Sequence, residues 1–551
     1  MLILSMHLYR LFAIGLLLIL PALAQRPLAY DISLRLDPGA STFTGSVLID
    51  FELTAPAKAL RLHAVDLKIE KILIDGANAT SQPAPDEQIE ILFAQQLPKG
   101  NHKLRIDYSA PLSDKAKLGP NRRRSEAGDW YAFTTFTPIE ARRAFPCFDE
   151  PRFKTPFQFT LEIPAKMTAA TNTPLLSESA PKAGWKTLRF APSQAIATEV
   201  VAFTVGPWQI AVGASAGSKK IPTRILYPAE SDGNAAPAVK AAPELVARLE
   251  AYTGIPYPWD KLDQVALLEN AFGAVENPGL ITYKSQLLLA KPDGVSRMRG
   301  VMTHELTHQW FGNLVTQATW QDVFLSEGFA TLIGNKLAEL DLPVSERGQK
   351  AAAQRNEMLD RDATSASRVV RAPKQARSDM KDVYGPEVYQ KAGAILRMIE
   401  NWLGEDTMQR GLQLYLKRHA GGNATVADLS AALKEVSGKD VAAVLDSFLN
   451  RTGVPRVALD LNCTSTKPTI KVDVAEGWTA PVCVRTPAGE SCQLIKGSGL
   501  IPLNDKACPI WLVPNAGGTG YFRTTLKNGP ATHAPWTVVE RIALDPKKET
   551  P

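Results

Sequence analysis

The sequence of 551 residues is poor in histidine and cysteine and carries little net charge. It contains 7 histidines and 5 cysteines, and its formal charge is +6. No basic run interleaved with aromatic residues occurs, which argues against nucleic-acid binding. We find no internal repeat, no low-complexity tract and, beyond the N-terminus, no apolar run that could span a membrane. The composition, 45% apolar and 21% charged, is typical of a soluble globular protein, and the length predicts about three or four domains.

The first 24 residues have the pattern of a signal peptide. Arg10 precedes an apolar run over 11–20, and Ala22, Leu23 and Ala24 form a small-residue cleavage site. The run is short for a membrane span, although an uncleaved anchor is the alternative interpretation. The sequence therefore predicts an exported protein, periplasmic or secreted, with no stable membrane insertion after cleavage.

The cysteine distribution agrees with export. Cys147 stands alone and is expected to be a buried, inert thiol. The other four crowd one short β-rich region: Cys463, Cys483, Cys492 and Cys508. In an oxidising compartment this pattern predicts two disulfides, with three possible pairings. A second zinc site is the alternative, but no C-x-x-C pair or nearby histidine supports it.

Changes in apolar periodicity divide the chain into regions. Residues 25–215 alternate in strand fashion and predict a large antiparallel β domain. Residues 216–453 are dominated by helical periodicity, and short alternating runs in 454–530 predict a small β-sandwich. Residues 531–551 form a tail. The predicted fold class is multidomain α+β.

The segment 304–327 contains the donor set of a zinc site. His304 and His308 lie four apart, so they project from one face of a helix, and Glu305 can reach a metal-bound water. Glu327, on a following predicted helix, supplies a third ligand and leaves one position open. Two histidines, one carboxylate and an open vertex are typical of a catalytic zinc site. The segment predicts a hydrolase with one Zn²⁺.

The same H-E-x-x-H motif would also occur in an amphipathic turn whose polar side chains are solvated. An apolar stripe on the predicted helix argues against this alternative, and it is formed by Leu306, Trp310, Phe311 and Leu314. Burying two imidazoles and a carboxylate without a partner is costly, and a metal ion removes that cost. The zinc interpretation is therefore favoured.

Further motifs give the sequence a family resemblance. The 304–327 segment resembles the gluzincin clan, and G-A-V-E-N over 273–277 matches the G-x-M-E-N motif of M1 aminopeptidases, with Val275 in place of methionine. Y-Q-K-A over 389–392 is similar to the Y-x-K-G segment of that family, with Ala392 in place of glycine.

The resemblance extends over nearly the whole mature chain. The stretch 130–151, which ends R-R-A-F-P-C-F-D-E-P, is similar to a segment of the family's N-terminal domain. G-Y-F-R over 520–523 resembles the end of its third domain. The sequence thus resembles the aminopeptidase N-like M1 zinc enzymes, which implies a thermolysin-like fold for the catalytic domain.

Substrate binding follows from the G-A-V-E-N motif. Glu276 can provide the anionic partner that a free α-ammonium requires, which favours chain ends over internal bonds. Gly273 and Ala274 are small, so a substrate backbone can approach and pair as an added strand. Asn277 completes the motif as a substrate-binding candidate. Taken without the zinc segment, the G-A-V-E-N motif would be explained equally well by a tight turn with a solvated glutamate.

The resemblance also implies the chemistry. Zn²⁺ would polarise the peptide carbonyl and acidify a bound water, and Glu305 would pass the proton of that water to the leaving amine. Tyr389 would donate to the oxyanion, although an aromatic in a helical segment is more often a core residue. Asp322 is a candidate acceptor for a ligand histidine N–H, or else a solvated capping residue.

The sequence departs from the family pattern at several positions. Thr137 stands where the family usually carries Gln or Glu to hold the substrate amine, so Glu276 is expected to bear more of that recognition. Pro278 replaces a common Trp, and Ser326 replaces the usual Asn before Glu327. Many members continue into a long helical domain, of which 536–545 resembles only the start, so a more open cleft is expected.

The sequence predicts a zinc aminopeptidase, most simply a monomer, that acts on peptides with a free N-terminus. An endopeptidase with the same metal centre is one competitor, and a non-catalytic peptide-binding descendant is another. The presence of the ligands, Glu305 and Tyr389 together argues against the second.

Overall fold

A computed structural model describes residues 25–231, 233–373, 377–464, 467–530, 535 and 537–543. The predicted signal peptide, 1–24, and most of the predicted tail, 531–551, lie outside the described residues. Of the described helices, none combines the length and the apolarity needed to cross a membrane.

The N-terminal region consists mainly of β-strands, as the alternating pattern predicts. These strands are β1 (Gln25–Arg35), β2 (Thr42–Leu53), β3 (Ala57–His63), β4 (Lys68–Ile74), β5 (Ala77–Asn78), β6 (Thr80–Ala84), β7 (Gln88–Leu97), β8 (Gly100–Pro111), β9 (Gly119–Arg124), β10 (Trp130–Thr135), β11 (Phe157–Pro164), β12 (Thr168–Thr171), β13 (Leu175–Glu178), β14 (Trp185–Phe190) and β15 (Phe203–Gly206).

Eight of the described strands form one sheet in the order β13-β14-β11-β1-β2-β8-β4-β5, and smaller sheets have the orders β12-β15-β10-β9 and β3-β7-β6. Residues at alternating positions of these strands, such as Ile32, Val47 and Phe159, are buried. The prediction of an antiparallel domain is wrong at one pair, because β1 runs parallel to β11 with Tyr30 opposite Phe157. More than a hundred residues separate these strands, so the connection is long enough for parallel pairing.

The second region combines a sheet with helices. Its strands are β16 (Gln209–Val212), β17 (Thr223–Tyr227), β18 (Leu262–Leu267), β19 (Ala274–Val275), β20 (Leu280–Lys284), β21 (Thr316–Gln317) and β22 (Asn423–Ala424). Its helices are α1 (Ala236–Thr253), α2 (Ser285–Leu288), α3 (Val295–Thr307), α4 (Phe324–Ala338), α5 (Val344–Asp362), α6 (Ala392–Leu403), α7 (Glu405–His419), α8 (Val426–Ser437) and α9 (Ala442–Leu449).

Five of these strands form a sheet in the order β16-β17-β18-β20-β19, which leaves β19 at an edge. β16 pairs with β17 across position 215, where a domain boundary is predicted, and that boundary stays a prediction. The helical periodicity predicted for 216–453 is interrupted near its end, because Gly438 ends α8 in the left-handed region with φ of 70° and α9 follows as a separate helix.

The third region is again β-structured. Its strands are β23 (Arg456–Asn462), β24 (Thr469–Val474), β25 (Thr479–Thr486), β26 (Gly489–Lys496), β27 (Ser498–Pro502) and β28 (Arg523–Lys527). They form a sheet of order β27-β24-β23-β28 and the hairpin β25-β26. A short helix, α10 (Val538–Ala543), follows and packs on α5, where Asn356 Nδ2 donates to the carbonyl of Ile542 at 2.5 Å.

The four clustered cysteines form two disulfides, which confirms that part of the prediction. Cys463 pairs with Cys508, and Cys483 pairs with Cys492 across the β25-β26 hairpin. All four sulfurs are thereby used, so the alternative of a second zinc site is wrong. Cys147 is a free, buried thiol whose pKa is raised well above its usual value by burial.

Candidate metal centre and active site

Helix α3 carries the two histidines and the adjacent glutamate. Met298, Met302 and Leu306 recur every four residues and are buried, which orients the helix in the core. Thr303 and Thr307 are also buried, and each hydroxyl donates at 2.7 Å to the carbonyl four residues earlier. The helix can therefore bury polar side chains at its C-terminal end.

The predicted apolar stripe is only partly helical. Helix α3 ends at Thr307 with His308 as its C-cap, so Trp310, Phe311 and Leu314 lie beyond it. All three are nevertheless buried. The expectation of a buried helix is confirmed, whereas the extension of the helix through Leu314 is wrong.

Helix α4 brings Glu327 to the two histidines. Its packing on α3 is close at Gly334, where an added Cβ would lie 3.1 Å from the Cα of His304. It is similarly close to α6 at Gly328, where a Cβ would lie 3.0 Å from the Cβ of Ala392. The glycine at 328 therefore leaves room for the alanine at 392, which departs from the family motif.

The ligand atoms of His304, His308 and Glu327 form a nearly equilateral triangle. The two Nε2 atoms are 3.1 Å apart, and each lies 3.3 Å from Glu327 Oε2. Tetrahedral vertices about 2.0–2.1 Å from a zinc ion would be separated by about 3.3–3.4 Å. Glu327 Oε2 is buried and has no hydrogen-bond partner among the described residues. The three side chains thus fit a small tetrahedral metal ion.

Hydrogen bonds fix the orientation of His308. With Nε2 facing the triangle, Nδ1–H points to Ser326 Oγ at 2.8 Å and to the Phe311 carbonyl at 3.2 Å. Ser326 can approach because the neighbouring backbone is Gly312, where φ is 117° and an added Cβ would lie 2.2 Å from Ser326 Oγ. Neither the role of Ser326 nor that of Gly312 was predicted from the sequence.

Neither alternative for Asp322 holds: no described hydrogen bond joins it to a ligand histidine, and it is buried rather than solvated. Asp322 lies in the turn before α4, and its Oδ1 accepts from Arg371 Nε at 2.6 Å. Ser326 Oγ and the Phe311 carbonyl accept from His308 Nδ1 instead, whereas Asp322 is engaged by Arg371.

The electrostatics of the centre favour a cation. Burial alone would raise the pKa of Glu327, but His308 and His304 lower it to about 2. Burial alone would lower the pKa of His308, but Glu276 and Glu327 raise it to about 10. Burial, together with Glu276 and Glu327, raises the pKa of Glu305 well above its usual value. The surrounding carboxylates therefore favour positive charge at His308.

The G-A-V-E-N motif lies beside the metal ligands. A carboxylate oxygen of Glu276 lies within 4.8 Å of ligand atoms of Glu305 and His308. The backbone carbonyl of Glu276 is held by the side-chain amides of Gln309, at 2.9 Å, and Asn313, at 2.8 Å. Residue 276 is thus fixed by side chains that follow the second histidine.

The beginning of the same motif lines the main cavity. Gly273, in the left-handed region with φ of 94°, precedes the edge strand β19, and its carbonyl accepts from Lys284 N at 2.6 Å. Ala274 pairs with Tyr283. The cavity, of about 1080 Å³, is lined by Gly273 and Ala274 together with His304, Glu305 and Tyr389. An edge strand at such a cavity can accept an extended peptide as an added strand.

Asn277 lies away from this cavity. Its side chain is buried, and it is not among the residues that line the cavity. Its carbonyl accepts from Leu280 N at 3.0 Å in the turn before β20. The described contacts therefore place Asn277 in the turn that shapes the motif.

Tyr389 is adjacent to the metal ligands, as its predicted role requires. Its hydroxyl donates to Glu327 Oε1 at 3.0 Å, and its ring lies over His304 with a centroid distance of 6.0 Å. Burial and the Glu327 carboxylate raise the pKa of Tyr389 well above its usual value, so the phenol stays protonated as a donor. It lies on one turn of π-helix, Glu387–Lys391, a local distortion often found at functional sites.

The N-terminal region contributes Glu199, which the sequence did not point to, and Thr137, which it did. Glu199 is buried in the turn Thr198–Val200, and its Oε1 accepts from Gln317 Nε2 at 3.3 Å. Burial, followed by the charge of Glu276, raises its pKa well above the usual value. Thr137 Oγ1 lies 2.6 Å from the hydroxyl of Tyr384. These residues are distant in sequence and follow no periodic pattern, so only the fold brings them together.

Two family profiles match the chain. The Peptidase M1 N-terminal domain matches residues 26–200, and the Peptidase family M1 domain matches residues 238–448. The second match contains all the residues of the triangle.

Named relatives agree with the profiles. Aminopeptidase M1-A of Oryza sativa subsp. japonica is 30% identical over 544 residues, 92% of this chain and 61% of that protein. Aminopeptidase M1 of Arabidopsis thaliana is 30% identical over 78% of this chain and 51% of its own length. Mitochondrial aminopeptidase 2 of Saccharomyces cerevisiae is 32% identical over 79% of this chain and 47% of its own length. The chain thus spans between 47% and 61% of the length of these relatives.

Proposed function

The chain belongs to peptidase family M1, and from this premise we propose that it is a zinc-dependent aminopeptidase that hydrolyses N-terminal residues from peptides. The observation that carries the proposal is the triangle of ligand atoms of His304, His308 and Glu327, with edges of 3.1–3.3 Å, beside the carboxylate of Glu276. A hydrolytic centre and an anionic group for a substrate amine are thereby close together.

Zinc is the metal that best suits these donors. Two imidazole nitrogens and one carboxylate oxygen form the usual protein ligand set of catalytic zinc. A bound zinc ion would supply a Lewis acid and acidify water at neutral pH. We propose one such ion, because among the described residues the other candidate groups either share His308 or contain disulfide-bonded cysteines.

The side chains around the ligands suit peptide hydrolysis. Glu305 is placed to accept a proton from water on a carboxylate oxygen and to return it to the leaving amine. Tyr389 can direct its O–H at the oxygen that becomes negative in the transition state. Glu276 would bind the α-ammonium by a charge-assisted contact, and β19 would align the substrate backbone.

The proposal is tested by metal analysis together with a panel of aminoacyl reporters. Purified protein loaded with zinc should release the reporter from at least one member, and a chelator should stop the release. Absence of any chelator-sensitive release across the panel would overturn the proposal.

An endopeptidase with the same centre is the second candidate, and blocked substrates separate the two. If Glu276 must bind a free amine, N-acetylation of a peptide abolishes its cleavage. Equal cleavage of free and acetylated peptides would favour an endopeptidase.

We further propose that the protein is exported, acts as a monomer and contains a thermolysin-like domain over 216–453 and a small β-sandwich over 454–530. The two disulfides support export, because such bonds persist in oxidising compartments. The sheet β27-β24-β23-β28 and the hairpin β25-β26 support the sandwich, since both contribute buried apolar residues such as Val472 and Val482. Mass spectrometry of the mature N-terminus from the native host would test export.

A further inference from the structure

A small cavity that the proposed reaction does not yet use is lined in part by the metal ligand Glu327. Its volume is about 10 Å³, the room that a single water-sized group needs. Polar side chains from both regions line it: Glu199, Glu276, Asn313, Gln317, Glu327 and Tyr384. No lysine, arginine or histidine is among its described lining residues. Three carboxylates therefore surround a space for one small group.

Two of the amide side chains that line this cavity carry unpartnered acceptors. Asn313 Oδ1 and Gln317 Oε1 have no hydrogen-bond partner among the described residues, although Asn313 is only 2% and Gln317 only 3% exposed. Their amide nitrogens are already used, by the Glu276 carbonyl at 2.8 Å and by Glu199 Oε1 at 3.3 Å. These bonds fix which end of each amide is free. The cavity thus offers acceptors to a ligand that can only donate.

The nearby cations cannot fill this role. Lys154 donates to the carbonyls of Asn313, at 2.8 Å, Leu314, at 3.0 Å, and Gly422, at 3.3 Å, which uses its three N–H groups. His308 directs Nδ1 to Ser326 and Nε2 to the ligand triangle. A small external cation with several N–H donors would relieve the repulsion among the carboxylates. The terminal ammonium of a peptide has this charge, size and donor set.

Glu199 is held in place by a rigid network. Its neighbour Thr198 donates through Oγ1 to Asp149 Oδ1 at 2.6 Å, and Asp149 Oδ2 accepts from Arg142 Nε at 2.8 Å. Arg142 also pairs with Glu87 at 2.9 Å. The turn that carries Glu199 is therefore fixed before any ligand binds, as a preorganised binding group requires.

Thr137, by contrast, cannot provide the second anionic contact. It carries no charge, and its hydroxyl is paired with Tyr384 at 2.6 Å. Building on the proposed aminopeptidase function, we propose that Glu199 is a second anionic partner, together with Glu276, for the α-ammonium of the substrate. Glu199 thus provides the charge that residue 137 lacks.

The test compares Glu199→Gln with the unsubstituted, zinc-loaded protein on an aminoacyl reporter. Because a hydrogen bond to a charged group is lost, KM should rise by about ten- to a hundredfold. The loss concerns binding, so kcat should change by less than about threefold. Glu199→Asp keeps the charge and should raise KM less than Glu199→Gln does. An unchanged KM in a folded Glu199→Gln protein would overturn the assignment.

Two competitive inhibitors show whether Glu199 acts on the ammonium group or on the site as a whole. An amino-acid amide and its desamino analogue differ only in the ammonium. In Glu199→Gln the inhibition constant of the amide should rise about as much as KM, and that of the desamino analogue should not change. An equal rise for both would overturn the proposal, because it would indicate a general distortion of the site.

Glu140→Gln is the matched control. Glu140 is also buried in the N-terminal region, but it pairs with Arg143 at 2.7 Å and Arg377 at 2.8 Å and lines neither cavity. Its substitution should lower thermal stability and leave KM unchanged. If the unsubstituted protein is inactive on all reporters, the aminopeptidase function itself fails. If it is active and Glu199→Gln matches it, only the role of Glu199 fails.

Discussion

Two buried polar clusters lie close together, and they differ in whether their hydrogen-bonding groups all have partners. The first cluster, which we call the lysine anchor, is formed by Lys391, Asp362 and Tyr521. The ammonium of Lys391 donates to Asp362 Oδ2 at 2.7 Å. It also donates to the carbonyls of Arg368, at 3.1 Å, and Arg451, at 3.2 Å. Tyr521 donates to the same carboxylate at 3.0 Å. Each of the three N–H groups of the ammonium therefore has an acceptor.

The cluster at the metal centre leaves acceptors without partners. Glu327 Oε2, Asn313 Oδ1 and Gln317 Oε1 are buried without a hydrogen-bond partner among the described residues. Lys391 lies two positions after Tyr389, which contacts Glu327, so the π-helical turn Glu387–Lys391 serves both clusters. An unsatisfied buried polar group is costly, so three unpartnered acceptors around one small cavity suit a bound ligand, whereas a satisfied cluster points to a structural role. The clusters should therefore respond to substitution in different ways.

Glu305→Gln should have the largest effect on catalysis. The amide is nearly the same size as the carboxylate but cannot accept the proton of a water, so kcat/KM should fall by about 10²- to 10⁴-fold. Thermal stability should not fall, because a buried carboxyl group of raised pKa is replaced by a neutral one. Glu357→Gln, on the exposed side of α5, is the control for kinetics and unfolding. An unchanged kcat/KM in Glu305→Gln would show that Glu305 is not the group that accepts the proton.

Lys391→Met should show the opposite pattern. Removing one partner leaves the Asp362 carboxylate buried without its counter-ion, and the free energy of unfolding should fall by about 3–5 kcal/mol. The double substitution with Asp362→Leu should recover part of that loss, because no uncompensated charge remains. Denaturant unfolding measures both. If Lys391→Met instead reduced activity per folded molecule with no loss of stability, the distinction between the clusters would be wrong.

The metal centre could be predicted from the sequence because its ligands follow local rules. His304 and His308 are separated by one helical turn, and Glu327 comes from the next helix. Ser326 and Gly312 could not be found in this way, since their roles depend on a close approach after α3 ends. The prediction for Asp322 failed because spacing does not determine where a turn directs its side chain.

For the fold, too, the features that follow local rules could be predicted, and those that depend on distant parts of the chain could not. Alternation identified the inward residues of β1, β2, β8 and β11, which depend only on the period of a strand. The parallel pairing of β1 with β11 depends on a long connection, and the position of Glu199 depends on packing between two regions. Neither of these leaves a signal in local periodicity.

Tyr389→Phe should have the next largest effect. The ring remains, but the O–H that donates to Glu327 Oε1 and that would face the developing oxyanion is lost. Removing one such donor should lower kcat by about 10²- to 10³-fold. Tyr415→Phe, at another buried tyrosine, should leave kcat unchanged. If KM or zinc content fell while kcat did not, Tyr389 would act only on the metal ligand Glu327 and not on the oxyanion.

Ser326→Ala should have the smallest effect and addresses the metal centre most directly. The substitution leaves the close approach of Gly312 intact, because it removes only the hydroxyl that lies 2.8 Å from His308 Nδ1. Groups that orient a ligand histidine typically contribute about 10- to 100-fold in metal affinity. We expect the lower end, since the Phe311 carbonyl, 3.2 Å from Nδ1, still accepts from His308.

Competition with a chelator of known affinity would measure the change in zinc binding in Ser326→Ala. Ser447→Ala is the matched control, because Ser447 is also buried and its hydroxyl donates to the carbonyl of Thr479 at 3.1 Å, far from the ligands in sequence. Both variants lose a buried hydroxyl and should lose a similar amount of stability, but only Ser326→Ala should bind zinc more weakly. If both bound zinc as tightly as the unsubstituted protein, the Phe311 carbonyl alone would suffice to orient His308.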